Sequence, residues 1–438
     1  MSFRTRWKVR EYVRNSIWIV PALFAIAAII AGSLFPDLDK HTADEAEIVV
    51  ELTAETARGV LGALSGGMIT FTGFVFSILL LAVQFGSSQF SPRMLRRFLR
   101  DRTTKIALGM FIATFIYSLL VLGSIGTHTD PEFVPVTSVT VAVLLLLASM
   151  FMFLRLISRT TQSLRVASVL RSLGADACDV IDRVYPDPAL DPAAVETDDL
   201  EPADREPAVV LAYQGEASVL QSIDAPGLVA MAIKCDAEIE LVPPIGSFLI
   251  AGEPLFSIRG GPVERRALEH SVAVGDERTM RQDPAFAFRL LADISSKALS
   301  PGVNDPSTAT QALDQIEVLL RQLAQRRLTP GVLRDPDNRV RLRYPAPSWE
   351  DYVSLALDET RQYGEGSVQV ARRLKALLQS LIRAVPPYRR AAVDAQLALM
   401  GSSIQRAFSD EVDRDTAGKE DRQGIGTPTL GAKAAVSG

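Results

Sequence analysis

Four apolar runs, Ile17–Phe35, Val60–Gln84, Ile106–Ile125 and Val134–Ile157, decide what this chain can fold into. Each has about the 20 residues that an α-helix needs to cross a hydrocarbon core of roughly 30 Å. No run of that kind recurs in the rest of the 438 residues. A positive mean hydropathy beside a charged fraction of 22% fits apolar and polar blocks kept apart along the chain. The first run follows Arg4, Arg6, Lys8, Arg10 and Arg14, as a secretory signal would, but it is longer than a signal's apolar region and lacks a convincing small-x-small cleavage site before Pro36, so it is read as a retained span. Trp7, Tyr12 and Trp18 suit a segment lying at the headgroups.

The second run carries the most information. Read every three or four positions it gives Gly59, Ala63, Gly66, Thr70, Gly73, Ser77, Leu80, Gln84, Ser87 and Ser91, a stripe of mostly small and polar residues on one helix face. The rest of its circumference is apolar, with Leu61, Leu64, Met68, Phe71, Val75, Leu79 and Val83 among others. Such a seam turns toward protein or water and away from lipid. Gly66, Thr70, Gly73, Ser77 and Gln84 are therefore the candidate pore or packing residues.

Basic residues resist transfer across a membrane, so their placement gives the orientation. They gather before the first span, after the second at Arg93, Arg96, Arg97 and Arg100, and after the fourth at Arg155, Arg159, Arg165 and Arg171. The loop from Pro36 to Arg58 is acidic instead. Both termini and the large C-terminal part of this multi-pass chain are therefore expected in the cytoplasm. Asp44–Arg58 reads as an outside helix with Glu47, Glu51 and Glu55 on its outer face, either a cation-gathering vestibule or a solvated surface. Ser91-Pro92 reads as a helix start, and the arginines after it suit anionic lipid headgroups. Thr114, Tyr117 and Ser118 in the third span are expected to bond their own helix or a neighbour, while the fourth span reads as almost featureless and lipid-facing.

Beyond the spans the period changes. A transmembrane domain over residues 1–160 is followed by a connecting helix and an acidic, Pro-rich linker (161–207), a small β-rich domain (208–262), a helical domain (275–408) and a tail (409–438) expected to be disordered. The expected fold class is membrane α-helical with four transmembrane helices, plus a cytoplasmic α+β domain in which a small β unit precedes a helical bundle. Helix starts are marked by Asp224-Ala-Pro226, Asp283-Pro284, Asp305-Pro306 and the capping box Ser348-Trp-Glu-Asp351. Between two of these helices, Lys297–Thr308 concentrates turn-forming polar residues. Asp305 and Pro306 are explained by capping, whereas Ser300 and Asn304 leave room for a ligand loop.

Catalysis has little to stand on. His41, His128 and His270 belong to no metal or nucleophile motif, and no phosphate-cradling glycine loop is present. Cys178 and Cys235 have no zinc spacing and would stay reduced in the cytoplasm. The turns around Gly246 and Gly252 resemble half of a biotinyl or lipoyl hammerhead, yet Lys234 falls inside a predicted helix, so no cofactor is expected. A net charge of -5 gives no reason to expect nucleic acid.

Three stretches, Phe71-Thr-Gly-Phe74 through Val83-Gln-Phe-Gly-Ser-Ser-Gln-Phe-Ser-Pro-Arg93, Ala298-Leu-Ser-Pro-Gly-Val-Asn-Asp-Pro-Ser-Thr-Ala309, and Pro347-Ser-Trp-Glu-Asp-Tyr352, resemble an uncharacterised family of predicted bacterial membrane proteins, a domain of unknown function. The resemblance implies an inner-membrane location and carries no mechanism. Two function classes stand on the sequence. One is a homo-oligomeric channel or transporter with a cytoplasmic regulatory domain; the other is a membrane-anchored scaffold or sensor whose second span serves only to pack helices.

Overall fold

The computed structural model describes residues 3–42, 53–89, 101–125, 134–163, 165–189, 209–328 and 331–426. The chain divides into two compact units, residues 10–165 and residues 166–438, the latter taking in residues 1–9 as well. A basic helix, α1 (Phe3–Asn15), precedes four long apolar helices: α2 (Ile19–Thr42), α3 (Ala54–Gln89), α4 (Arg102–Ser124) and α5 (Val136–Ser163).

The third of these spans is the centre of its unit. Half of its apolar stretch is buried (50%), against 22%, 17% and 17% for α2, α3 and α5, and all three pack against it. Small residues allow the approach: a Cβ on Gly109 would lie 2.8 Å from the Phe24 ring, and one on Gly32 would lie 3.0 Å from Leu120. The outer surface is greasy, with Leu23, Ile26, Ile30 and Leu34 of α2 and Leu144, Leu147, Phe151 and Leu154 of α5 exposed. In water that would be an aggregation surface; in hydrocarbon it costs nothing.

Three local expectations are corrected in this unit. The first span does not stop before Pro36, because α2 runs through it to Thr42; a proline inside a membrane helix is tolerated where neighbours re-satisfy the backbone. The continuation places Asp39 at the start of α5, where its Oδ2 accepts hydrogen bonds from the Ser138 backbone N–H (2.9 Å) and hydroxyl (2.8 Å), a carboxylate at the positive end of a helix. Second, of the expected outside helix Asp44–Arg58, residues 44–52 lie outside the described residues, and Ala54–Arg58 is the first part of α3 itself. At 1.5 Å per residue this helix is about 54 Å long, so it projects past the hydrocarbon. Third, α5 is not featureless. Ser138 and Ser149 are buried, and the Ser149 hydroxyl lies 2.8 Å from that of Thr114 on α4. Thr114 also donates to the Met110 carbonyl at 2.9 Å, and the Tyr117 hydroxyl donates to the Ser138 carbonyl at 3.2 Å, the own-helix and neighbour bonding expected of membrane hydroxyls; the buried Ser118 hydroxyl departs from that expectation, with no hydrogen-bond partner among the described residues.

The second unit begins with α6 (Val166–Val184), whose buried face Val169, Leu170, Leu173, Ala177, Val180 and Ile181 follows the helical period. Then come β1 (Val209–Ala212), β2 (Ser218–Ile223), α7 (Ala225–Cys235), β3 (Ala237–Leu241), β4 (Phe248–Leu249) and β5 (Pro254–Gly260). Asp224 caps α7 by accepting from the Gly227 N–H at 3.2 Å, with Pro226 in the first turn. A short helix α8 (Arg265–His270) and strand β6 (Val272–Gly275) follow, neither of which the sequence pattern indicates. Helices α9 (Pro284–Ala298), α10 (Pro306–Ala324), α11 (Trp349–Tyr363), α12 (Val368–Ala384), α13 (Arg390–Ala407) and α14 (Glu411–Ala417) complete the unit, with β7 (Val332–Arg334) and β8 (Val340–Arg343) inserted between α10 and α11.

The strands make two sheets, β1-β5-β3-β8-β7 and β4-β2-β6. Strand β8 pairs in parallel with β3, Ile239 opposite Leu342, so a segment embedded in the helical sequence closes the sheet. Leu220, Ile239, Leu241, Phe256, Leu228 and Leu342 share one core. The caps read from sequence in this unit are present: Asp283 accepts from Phe286 N, Asp305 from Thr308 N, and Ser348 with Asp351 forms the reciprocal box; the helix start read at Ser91-Pro92 lies outside the described residues. The tail, expected without structure from Ser409, carries α14 and an ordered stretch to Gly426; residues 427–438 lie outside the described residues.

Candidate functional site on the second membrane helix

One side of α3, with Ala54, Ala57, Leu61, Leu64, Met68 and Val75, is buried within the four-helix unit. The three-to-four spacing that buries these residues turns the stripe the other way. Gly59, Ala63, Gly66, Thr70, Gly73, Ser77, Leu80 and Gln84 are all exposed. The five candidate residues Gly66, Thr70, Gly73, Ser77 and Gln84 thus lie together on one outward face. The side chain of Ser87, and Ser91, lie outside the described residues.

Two features of this face matter chemically. Its hydroxyls are already satisfied, since Thr70 Oγ1 donates to the Gly66 carbonyl at 3.1 Å and Ser77 Oγ to the Gly73 carbonyl at 3.0 Å, which lets them sit against hydrocarbon or another helix at little cost. Its glycines are small for no reason inside the unit. A Cβ on Gly59, Gly62, Gly66, Gly67 or Gly73 would meet nothing within 4 Å, whereas Gly32 and Gly109 are each closed over by a neighbouring span. Glycine is among the poorer helix formers, so the three on the stripe, Gly59, Gly66 and Gly73, mark a face shaped for close approach from outside.

The other candidate residues fall elsewhere. Glu55 is exposed in the first turn of α3; Glu47 and Glu51, and Arg93, Arg96, Arg97 and Arg100, lie outside the described residues. Lys105, part of the same basic segment, is buried, and its Nζ donates to the Arg14 carbonyl at 2.7 Å. The loop at 300–305 has a structural account. The Ser300 hydroxyl donates to the Lys297 carbonyl at 2.7 Å, and the Ser300 carbonyl accepts from the Val303 and Asn304 N–H groups at 3.0 and 2.9 Å. Asn304 takes a left-handed φ of 48°, a conformation that asparagine tolerates better than most residues. Asp305 holds Thr308 through N–H (3.1 Å) and hydroxyl (2.5 Å).

Sequence reasoning missed a buried polar cluster in the second unit. The Tyr185 and Tyr352 hydroxyls are 3.0 Å apart, with the Phe288 and Tyr352 ring centroids 5.3 Å apart. Burial pushes the Tyr185 hydroxyl up to about 12 and that of Tyr352 well above its usual value, so both stay neutral. Burial also raises the Asp283 carboxyl, opposed by its hydrogen bond from Arg278. These positions are scattered in sequence, and no local signal joins them.

A second network runs between α10 and α12. Arg373 donates to Asp314 and Glu317, 2.7 Å each, and the Ser380 hydroxyl donates to Glu317 at 2.5 Å. Burial alone would raise Glu317, but the Ser380 and Arg373 hydrogen bonds prevail and its carboxyl lies below 4.5. With the folded value below the unfolded one, Glu317 stabilises the fold above pH 4.5, and that contribution disappears as pH falls through the depressed value. The expected result is a melting temperature that falls on acidification below that point, and a shallower fall for Glu317→Gln, measured by thermal unfolding across pH 3–6.

The spans, the greasy exterior and the helical second unit have a counterpart among known sequences. The family described as "Predicted membrane protein (DUF2254)" matches residues 14–380. The chain belongs to this family. Uncharacterized proteins of Mycobacterium tuberculosis and Mycobacterium bovis are each similar at 31% identity over 423 residues, covering 93% of this chain and 80% of the relative. No solved structure matches. The chain is thus a predicted membrane protein with four candidate spans, in a family whose description names no enzyme activity. Among the described residues no group of three or more His, Cys, Asp or Glu side chains is placed to hold a metal ion.

Proposed function

We propose that this protein works as a homo-oligomer in a bacterial inner membrane, both termini cytoplasmic, and that its copies meet along the α3 stripe to enclose a channel-like path regulated by the C-terminal unit. The observation that carries the reading is the exposed face of Gly66, Thr70, Gly73, Ser77 and Gln84, whose glycines meet nothing within their own unit. Because α4 fills the centre of the four helices, a path of this kind runs between copies. The arginine-rich flanks support the orientation and suit anionic headgroups.

Conductance decides it. Purified protein in planar bilayers is expected to conduct, with Ser77→Leu and Gln84→Leu each reducing conductance at least tenfold. Absence of conductance in the wild type, or conductance unaffected by both substitutions, overturns the channel reading. A second reading, a membrane-anchored scaffold or sensor with the stripe used purely for packing, draws on the back-bonded hydroxyls of Thr70 and Ser77 and on the lack of an ionisable side chain in the stripe. Stable oligomers without conductance are its signature.

A further inference from the structure

A cleft of about 370 Å³ opens between α2 and α4 where the two spans end, its walls including Ser33, Pro36 and Asp37 of α2 and Leu119, Gly123 and Ser124 of α4. Its polar end is made of acceptors. Pro36 has no N–H, so the carbonyl of Gly32, another wall residue, loses its i+4 donor. Asp37 adds a carboxylate, whose two oxygens accept from several donors at once. Helix α4 stops at Ser124, which brings the negative end of its dipole to the same place. The Ser124 hydroxyl donates to the Val121 carbonyl at 2.7 Å, so its oxygen too presents lone pairs.

Depth and shape narrow the class of ligand. The apolar stretches of α2 and α4 run out at Asp39 and Ser124, so the cleft lies at the level where lipid headgroups meet the hydrocarbon. Deeper along α4 the wall is apolar, with Leu119 half exposed. The cleft is closed where the helices touch, a Cβ on Gly32 lying 3.0 Å from Leu120, and open at Gly123, where a Cβ meets nothing within 4 Å. A bare divalent cation is gripped by oxygens at about 2.0–2.6 Å, a far tighter cage than this. The volume matches small-molecule sites, which span roughly 300–1,000 Å³.

We propose that the cleft holds a membrane phospholipid by a primary ammonium headgroup, of the ethanolamine class, with an acyl chain lying along Leu119. The ammonium donates to the Asp37 carboxylate and to the carbonyl and hydroxyl oxygens around it, in a low-dielectric setting that strengthens charge-assisted hydrogen bonds. Headgroup selection follows. An ethanolamine ammonium has three N–H donors; a choline headgroup has the charge without a donor, and a glycerol headgroup leaves a net anion beside Asp37. The cleft is built from α2 and α4 alone, so it does not depend on copies meeting along α3.

The test is native mass spectrometry of the full chain, released from detergent with equal amounts of phospholipids that share acyl chains and differ in headgroup. Wild type is expected to retain the ethanolamine lipid at least fivefold over the choline and glycerol lipids. Asp37→Asn removes the charge, and Gly123→Leu fills the open side without a clash. Each is expected to abolish the preference, while Leu147→Ala, on the outward face of α5, keeps it. Thermal unfolding separates the lipid from a free cation: the ethanolamine lipid is expected to raise the melting temperature of wild type and not of Asp37→Asn, and sodium or potassium chloride to raise neither. Equal retention of the three lipids, or a preference that survives both Asp37→Asn and Gly123→Leu, overturns the proposal. So does an Asp37-dependent rise in melting temperature with salt alone, which would assign the cleft to an inorganic cation.

Discussion

Replacing Arg389 with Met is expected to destabilise the C-terminal unit by about 3 kcal/mol. The Arg389 guanidinium sits at the end of α10 and donates to the carbonyls of Leu323 (3.0 Å), Ala324 (2.9 Å) and Arg326 (2.9 Å). The last carbonyls of a helix have no intrahelical partner; the Leu323 carbonyl also accepts from the Arg326 N–H at 3.0 Å, so Ala324 and, just beyond the helix end, Arg326 are the acceptors that depend on Arg389, which also lies over the Trp349 ring at 5.5 Å. Arg389 is 6% exposed, so its removal strands buried acceptors, each costing roughly 1–3 kcal/mol before water or relaxation recovers part. Lys presents a point charge in place of a planar fork, and Arg389→Lys is expected to recover less than half. Urea unfolding followed by Trp349 fluorescence measures both; a loss under about 0.5 kcal/mol for Arg389→Met would contradict the assignment.

Gly109→Leu is the corresponding experiment in the membrane unit. A side chain there meets Phe24 Cδ2 at 2.8 Å and Cγ at 2.9 Å from its first atom, so α2 and α4 must separate, and overpacking of this kind costs about 1–3 kcal/mol. The informative comparison is Gly73→Leu, which enters open space in the same unit. The first substitution is expected to lower the melting temperature of the monomer in detergent by several degrees, the second to leave it unchanged and to alter self-association.

The two substitutions also show what sequence can and cannot reveal. Four spans were legible because each is a continuous apolar run set by bilayer thickness, and the starts of α7, α9, α10 and α11 because Asp224, Asp283, Asp305 and Ser348 act within three residues of themselves. Periodicity placed Gly66 to Gln84 on one face, but period alone says nothing of what a face looks at. That the stripe turns outward follows from Leu61, Met68 and Val75 being taken up by the core, a tertiary fact. Strands β7 and β8 went unread because they have three and four residues, and because β8 is held by Ile239, about a hundred positions earlier in the chain. Continuation of α2 through Pro36 was hidden for the opposite reason: a strong local signal, proline as a helix stop, gives way inside a packed membrane helix.

The proposed meeting of copies along the α3 stripe is tested most directly by cysteine cross-linking in native membranes. In a background with Cys178 and Cys235 changed to Ser, single cysteines are placed at Gly73 and Ser77 on the stripe, at Val75 on the buried side of α3 (2% exposed), and at Leu147 on the outward face of α5 (59% exposed). A disulfide needs Cα atoms within about 7 Å, which only close helix packing provides. The account predicts oxidant-dependent dimers from Gly73→Cys and Ser77→Cys, and monomers from Val75→Cys and Leu147→Cys; stripe cysteines that stay monomeric, or that link no better than Leu147→Cys, would contradict it.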